Sequence, residues 1–171
     1  MKRAVFLDRD GVINDNRRPV NRPEELVLFP FAGRAIRLLN EAGWRVFVAT
    51  NQGGVGLGYM TEADLAAVHR RMQALLSDQG ARIDDIAACT HRPDAGCGCR
   101  KPRPGMLLEL ARRHGIDLTA SYMVGDRDTD VEAGRAAGTR TVFIGEGSVD
   151  ADIRAKDLWE AACQIVGNSS R

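Results

Sequence analysis

Apolar residues fall in two alternating rhythms along the chain. RAVFLD (3–8), WRVFVAT (44–50), IAACT (86–90), SYMVGD (121–126) and RTVFIG (140–145) are short runs with no polar alternate face, bounded by Gly, Asp or Thr. Runs of this kind are the pattern of strands buried on both sides of a sheet. Between them the period lengthens to that of a helix. AGRAIRLLNEAG (32–43) closes at Gly43 as a helix C-cap would, and Thr61 with Asp64 opens a helix in which Leu65, Val68, Met72, Leu75 and Leu76 recur at core-facing spacing. PGMLLELARRHG (104–115) and DVEAGRAAG (130–138) follow the same plan. Strands alternating with helices imply right-handed crossovers. The pattern predicts an α/β fold: one domain over residues 1–171 with a doubly wound, mainly parallel, Rossmann-like sheet of five or more strands.

Residues 11–30, GVINDNRRPVNRPEELVLFP, break this alternation. With Pro19, Pro23 and Pro30 they predict an extended or hairpin-like excursion from the carboxyl end of the first strand, where such sheets bind ligands. GNSSR at the end of the chain is expected to fray. A formal net charge of +1 lacks the basic excess of duplex nucleic acid binders. The apolar run before Asp8 is too short for a signal-peptide core or a membrane span, so no membrane partner is expected and the predicted location is cytoplasmic. No long apolar seam is present, and a monomer is expected. Cys163, alone in LWEAACQIV, is expected to be a small buried residue. His69 and His114 lie on helical patterns as surface or packing residues.

Chemistry gathers where strands end. VFLDRDGVIN delivers Asp8 and Asp10, and MVGDRDTD delivers Asp126, Asp128 and Asp130. Two carboxylates ~4 Å apart repel by about 4 kcal/mol at an effective dielectric near ~20, so two acidic clusters at one sheet edge need a cation, and oxygen ligands suit Mg2+. The competing reading is that these aspartates cap helices and close turns, which is the expected role of Asp128. VFVATNQGGVGLG ends the second strand in Thr50, Asn51 and Gln52, followed by Gly53 and further glycines whose amides can approach an anion closely. A glycine-rich turn alone is a weak signal. It gains weight beside a hydroxyl, a lysine and the acidic clusters.

CTHRPDAGCGCRKPRPG (89–105) holds three of the four cysteines and a histidine. In a reducing compartment such a cluster reads as a metal site rather than a disulfide framework. Cys89, His91, Cys97 and Cys99 make a Cys3His set for a closed, structural Zn2+; the alternatives are metal-free thiols and, less compatible with the short Cys97–Cys99 spacing, a disulfide. Metal binding would order a loop rich in Gly and Pro, and Arg100 and Lys101 would inherit that order.

These segments together resemble the haloacid dehalogenase superfamily of phosphotransferases, whose motifs correspond in order to VFLDRD, Thr50, Lys101 and GDRDTD. Within it, FLDRDGVIN, TNQ and the C-x-H…C-x-C-R-K-P loop resemble the small phosphatases that act on heptose bisphosphates and histidinol phosphate. The resemblance implies a Mg2+-dependent phosphomonoesterase without a large cap domain. Asp8 would be the nucleophile and Asp10 the general acid and base. Mg2+ would be held by Asp8, the backbone carbonyl of Asp10 and Asp126, with Asp130 steadying the site from behind. Thr50 and Lys101 would bind the phosphoryl oxygens. Asn16, Arg17, Asn51, Gln52, Gly53, Arg100 and Arg127 are the expected contacts to a small phosphorylated sugar. Arg17, Arg18, Arg100 and Arg127 could meet a second phosphate, which favours a bisphosphate over histidinol phosphate with its cationic leaving group. A receiver-type phosphoacceptor domain also combines Asp, Thr and Lys on a parallel sheet. The order of the motifs argues against it.

Overall fold

The computed structural model describes residues 1–169. Six parallel strands, β1 (Ala4–Leu7), β2 (Arg45–Asn51), β3 (Asp85–Cys89), β4 (Tyr122–Gly125), β5 (Arg140–Ile144) and β6 (Ile153–Ala155), form one sheet in the order β3-β2-β1-β4-β5-β6. Helices α1 (Ala32–Glu41), α2 (Glu62–Ser77), α3 (Gly105–His114), α4 (Asp128–Ala137) and α5 (Leu158–Ser169) connect and cover it. Among the described residues no cap domain is inserted between these elements.

The unbroken apolar runs follow from packing on both faces. On one face Val5, Leu7, Val46, Val48, Val124 and Val142 meet α1, α2 and α5 through residues such as Ile36, Leu39, Met72 and Ile165. On the other, Ala4, Phe6, Phe47, Ala49 and Met123 meet α3 and α4 through Leu107, Leu110 and Ala137. The register pairs Phe6 with Phe47, and their rings stand 5.6 Å apart. Because successive strand residues point to opposite faces, a one-residue slip would exchange the two cores.

Local signals set the helix ends. Thr61 Oγ1 accepts from the Asp64 amide at 3.0 Å while the Asp64 carboxylate accepts from the Thr61 amide at 2.9 Å, a reciprocal cap at the start of α2. Residues 11–30 form the hairpin-like excursion: Asp15 N donates to Val27 O (2.9 Å) and Phe29 N to Ile13 O (3.0 Å). Val12, Ile13, Val20 and Leu26 are buried in the first core and tie it down.

β1 and β4 are neighbours although most of the chain lies between them, and the strand order reverses there. This is the switch point of a doubly wound sheet, where a crevice opens at the carboxyl ends. Asp8 N donates to Val124 O at 3.0 Å, so the ends of β1 and β4 are bonded just where the two acidic segments leave the sheet.

Three features differ from expectation. β6 is a strand of three residues with Arg154 exposed, too short and too polar to stand out as an apolar run. Cys163 is exposed: α5 buries Leu158, Ala161, Ala162 and Ile165, and that spacing turns position 163 to solvent. The expected frayed end is helical through Ser169, and Ser170 and Arg171 lie outside the described residues. His114 is a packing residue as expected, 4.8 Å from the Phe47 ring and 2.7 Å from Asp85 Oδ2. Among the described residues no helix is long and apolar enough to cross a membrane. Leu107→Ala is expected to cost about 2–5 kcal/mol in denaturant unfolding, whereas Cys163→Ser should change stability by less than about 0.5 kcal/mol.

Candidate active site

Lys101 is 3% exposed, and all three of its ammonium donors find acceptors. Nζ lies 3.0 Å from Asp8 Oδ1 at the end of β1, 2.6 Å from Asp130 Oδ1 on α4 and 2.8 Å from the Ala49 carbonyl on β2. Burial alone would lower its pKa. The charges of Asp8 and Asp130 outweigh that and raise it. The lysine backbone is held too: Lys101 N donates to Asn51 Oδ1 (3.0 Å), and Asn51 Nδ2 donates to Lys101 O (3.2 Å). Asn51 is therefore a clamp on the lysine as well as a wall of the cavity.

Oxygens of Asp8, Asp126 and Asp130 lie within 4.8 Å of one another, at a cavity of about 240 Å3 that Asp10, Asn16, Asn51, Lys101 and Arg127 also line. Two glycines make this approach possible. Gly11 has φ +82°, and a Cβ there would stand 2.1 Å from Asp126 Oδ2; at Gly125 a Cβ would stand 2.2 Å from the Asp130 carboxylate. Asp130 Oδ2 also accepts from the Arg127 amide at 3.1 Å. Asp130 thus holds both Lys101 and the start of α4.

One ammonium does not balance three carboxylates. Asp8 is pushed up to about 6, first by burial and further by Asp130, against the pull of Lys101. Asp126 is pushed up to about 6 by burial and by Asp8, and its Oδ1 is buried without a hydrogen-bond partner. An unpartnered buried oxygen beside crowded hard donors fits a small divalent cation.

Asp10 lives in the opposite environment. Its Oδ1 accepts from Arg9 Nη2 (2.9 Å), Arg9 Nε (3.1 Å) and Asn14 Nδ2 (3.0 Å), and its Oδ2 accepts from Gln52 Nε2 (3.1 Å). Burial would raise its pKa, but Arg9 and these hydrogen bonds lower it. Gln52 Nε2 also lies 2.9 Å from Thr50 Oγ1, linking the two expected catalytic groups. Arg9 is fully buried, and its Nη1 is 3.2 Å from Nε2 of half-buried His69. His69 is depressed to about 4 by burial and then by the charge of Arg9. Sequence reasoning missed Arg9, Asn14 and His69. Arg9 sits at the unspecified middle position of its motif, and His69 meets it only through the tertiary fold.

The substrate contacts expected from sequence are brought together unevenly. Asn16, Asn51 and Arg127 line the cavity. Gln52 is turned inward to Asp10 and Thr50. Arg17 does not reach the cavity: it is exposed and pairs with Asp15 at 2.7 Å, and with Arg18 it borders a separate concavity. Its partner two residues away is simply nearer than the site. The glycine-rich turn is partly closed on itself. The amides of Val55, Leu57, Gly58 and Tyr59 are consumed within the turn, and Gly56 packs on Thr90 and Arg92 of the cysteine loop. Arg100 Nη1 would lie 3.2 Å from a Cβ at Gly53, which puts Arg100 and Gly53 together where the turn meets that loop.

In the cysteine loop, Cys89, His91, Cys97 and Cys99 converge within 4.8 Å. Cys99 Sγ is 3.0 Å from Cys89 Sγ and 3.2 Å from His91 Nδ1, and Cys97 Sγ is 3.5 Å from Cys89 Sγ. A tetrahedron with Zn–S arms of ~2.3 Å has edges of roughly 3.8 Å, so this set needs only slight opening to hold zinc. Crowding splits the thiols: burial and the neighbouring sulfurs push Cys99 up to about 12. Cys97 falls to about 6 because hydrogen bonds led by the Arg100 amide outweigh its desolvation. The loop is joined to the site on both sides. Gln52 N donates to Cys89 O (2.8 Å), and Gly105 N, at the start of α3, donates to Gly98 O (3.1 Å).

A HAD-hydrolase-like family model matches residues 98–167, which include Lys101, Asp126 and Asp130. D-glycero-beta-D-manno-heptose-1,7-bisphosphate 7-phosphatase of Rhodopseudomonas palustris is 48% identical over 142 residues, 79% of each chain. The chain belongs to the heptose-bisphosphate phosphatase family of HAD hydrolases. The Pseudomonas aeruginosa enzyme of the same name is 43% identical over 84% of this chain and 81% of its own. Among solved structures, D,D-heptose 1,7-bisphosphate phosphatase of B. bronchiseptica, complexed with magnesium and phosphate, superposes with a TM-score of 0.90 at 36% identity, covering 97% of this chain and 99% of that one. The alternation of strands and helices and the order of the acidic segments are therefore those of a known phosphatase family.

The raised carboxylates give a pH signature. Asp8 and Asp126 bind protons in the folded protein at pH values where the unfolded chain, with carboxylates near 3.8, has released them. Their favourable contribution is complete below that unfolded value and is lost as pH rises through about 6. In buffer free of divalent cations, Asp126→Asn should therefore raise Tm at pH 7 by roughly 2–4 °C, about 1 kcal/mol after allowance for solvent screening, and leave it unchanged near pH ~4. Thermal scans of both proteins at the two pH values provide the check.

Proposed function

We propose that the protein is a Mg2+-dependent phosphomonoesterase that removes the 7-phosphate of D-glycero-D-manno-heptose 1,7-bisphosphate through an aspartyl-phosphate intermediate. The observation that carries this reading is the buried Lys101 ammonium set between Asp8 and Asp130 beside the Asp126 carboxylate, in a chain of the heptose-bisphosphate phosphatase family. Mg2+ would be held by Asp8, Asp126 and the backbone carbonyl of Asp10, and when bound it supplies positive charge to the phosphoryl oxygens. Zn2+ would be held by Cys89, His91 Nδ1, Cys97 and Cys99. Four protein ligands leave it no open position, so its role is structural.

In this reading an Asp8 carboxylate oxygen attacks phosphorus in line as the bond to the sugar oxygen breaks. Lys101 and Thr50 bind the equatorial oxygens, where the charge of the transition state is spread. Asp10 gives its proton to the departing alkoxide. It then takes one from the water that attacks phosphorus, releasing phosphate and restoring the Asp8 carboxylate. Asp10 rests as a carboxylate in the free site, held there by Arg9, Asn14 and Gln52. Entry of a phosphate dianion beside three carboxylates raises its proton affinity and supplies the acid for the first step.

Asn16, Asn51 and Arg127 would meet the substrate at the cavity, with Arg100 beside Gly53 at the junction of turn and loop. Two guanidinium groups there support an anionic leaving group with its own phosphate over the cationic one of histidinol phosphate. The three free thiols of the metal set suit a reducing compartment, and we assign the enzyme to the cytoplasm.

Phosphate release from heptose 1,7-bisphosphate with Mg2+ is the direct test. Asp8→Asn should lower turnover by at least about 10³-fold with the fold intact by circular dichroism. Equal, poor rates across a panel of phosphorylated sugars and amino alcohols would overturn the substrate assignment. Cys97→Ala should release zinc in elemental analysis and lower Tm and activity together, because the loop that carries Lys101 loses its tie.

A further inference from the structure

Arg9 is the largest fully buried side chain among the described residues, an unusual use of a guanidinium in a core made mainly of apolar side chains. Its charge is met from two sides. Nε and Nη2 both donate to Asp10 Oδ1, and Nη1 points to His69 Nε2 at 3.2 Å. His69 reaches it from α2, between Val68 and Met72, both fully buried in the core, so the ring is placed by a packed helix. A guanidinium can only donate, so this contact calls for a neutral ring with the Nε2 lone pair turned to Nη1, and burial beside Arg9 favours the neutral form.

This arrangement divides the Asp10 carboxylate. Oδ1 takes two N–H groups from Arg9 and one from Asn14, which fills its lone-pair directions. Oδ2 takes only the Gln52 amide among the hydrogen bonds of the described residues. One oxygen is anchored and the other is left for a proton. We infer that His69 is a positioning residue for the acid–base step: by accepting from Nη1 it fixes the rotation of the Arg9 fork, which holds Asp10 Oδ1 and aims Oδ2 at the leaving oxygen and then at water. The inference rests on the phosphatase reading above. It adds a residue some 60 positions along the chain from the Arg9–Asp10 pair, outside the lining of the cavity.

The proton account is simple. Oδ2–H passes its proton to the sugar oxygen as the P–O bond breaks. Oδ2 later takes a proton from water as the new O–P bond forms and the bond to Asp8 breaks. Looser aim penalises both transfers, while binding of phosphate at Lys101 and attack by Asp8 are untouched.

The test uses the full chain loaded with zinc and magnesium, with His69→Leu to remove the acceptor and His69→Gln to restore one through its amide oxygen. On heptose 1,7-bisphosphate, His69→Leu should lower kcat by about 10–100-fold with KM within about twofold of the parent. p-Nitrophenyl phosphate separates the steps, since its phenolate departs with little help from an acid. There, phosphorylation of Asp8 should stay within about threefold while hydrolysis of the aspartyl phosphate slows by about 10–100-fold, so that acid-quenched phosphoenzyme accumulates. His69→Gln should recover most of the loss at a Tm matched to His69→Leu. The inference is overturned by unchanged rates, by equal losses in both steps without phosphoenzyme, or by a Gln variant no better than Leu. If the parent hydrolyses p-nitrophenyl phosphate and not the heptose ester, the substrate assignment fails on its own. The phosphoenzyme measurement still decides the role of His69.

Discussion

An ammonium buried as deeply as that of Lys101 must have every donor accepted, because an isolated charge in those surroundings costs several kcal/mol. The acceptors come from β1, β2 and α4, so this one contact set ties together three elements that are distant in sequence. The lysine cannot be reached from a floppy segment. Asn51 grips its backbone from the end of β2, and the cysteine loop delivers it from β3. The cavity, the convergence of carboxylates and the placement of α4 all follow from satisfying that charge.

Around it, two aspartates two residues apart meet opposite fields. Asp8 is desolvated beside Asp130 and rises, while Asp10 is surrounded by the Arg9 fork and two side-chain amides and falls. The chain leaves β1 after Leu7 and turns at Gly11, which puts the two side chains among different neighbours, so a single short segment yields a carboxylate crowded by like charge and another held by opposite charge. Divergent proton affinities at one strand end are what a nucleophile and a proton carrier require of their surroundings.

Much of this was legible in the sequence. Strands buried on both faces show as unbroken apolar runs, and the sheet order then brings Asp8, Asp10 and Asp126 to one crevice. Cys89, His91, Cys97 and Cys99 declared themselves by residue type, since few other fates suit three thiols and an imidazole in so short a loop. What stayed hidden depends on tertiary distance or on competition between neighbours. Arg9 and His69 meet only because α2 folds over β1. Arg17 carries charge that could serve a phosphate, but Asp15 claims it locally. Among the glycines after Gln52, Gly56 has a packing role that no local pattern announces: Thr90 and Arg92 lie against it. Cys163 followed the usual habit of a lone cysteine in expectation, while the phase of α5 sends it outward.

The cysteine loop has two halves of very different tolerance. Arg92 through Gly96 are exposed and bridge His91 and Cys97, whose positions are fixed by the convergence of the cluster. Extra length there would be nearly free, since doubling a flexible loop costs only about 0.6 kcal/mol. Between Cys99 and Lys101 stands Arg100 alone. An added residue at that point would rotate the amine out of its pocket, so length variation has one open address in this loop and one closed to it.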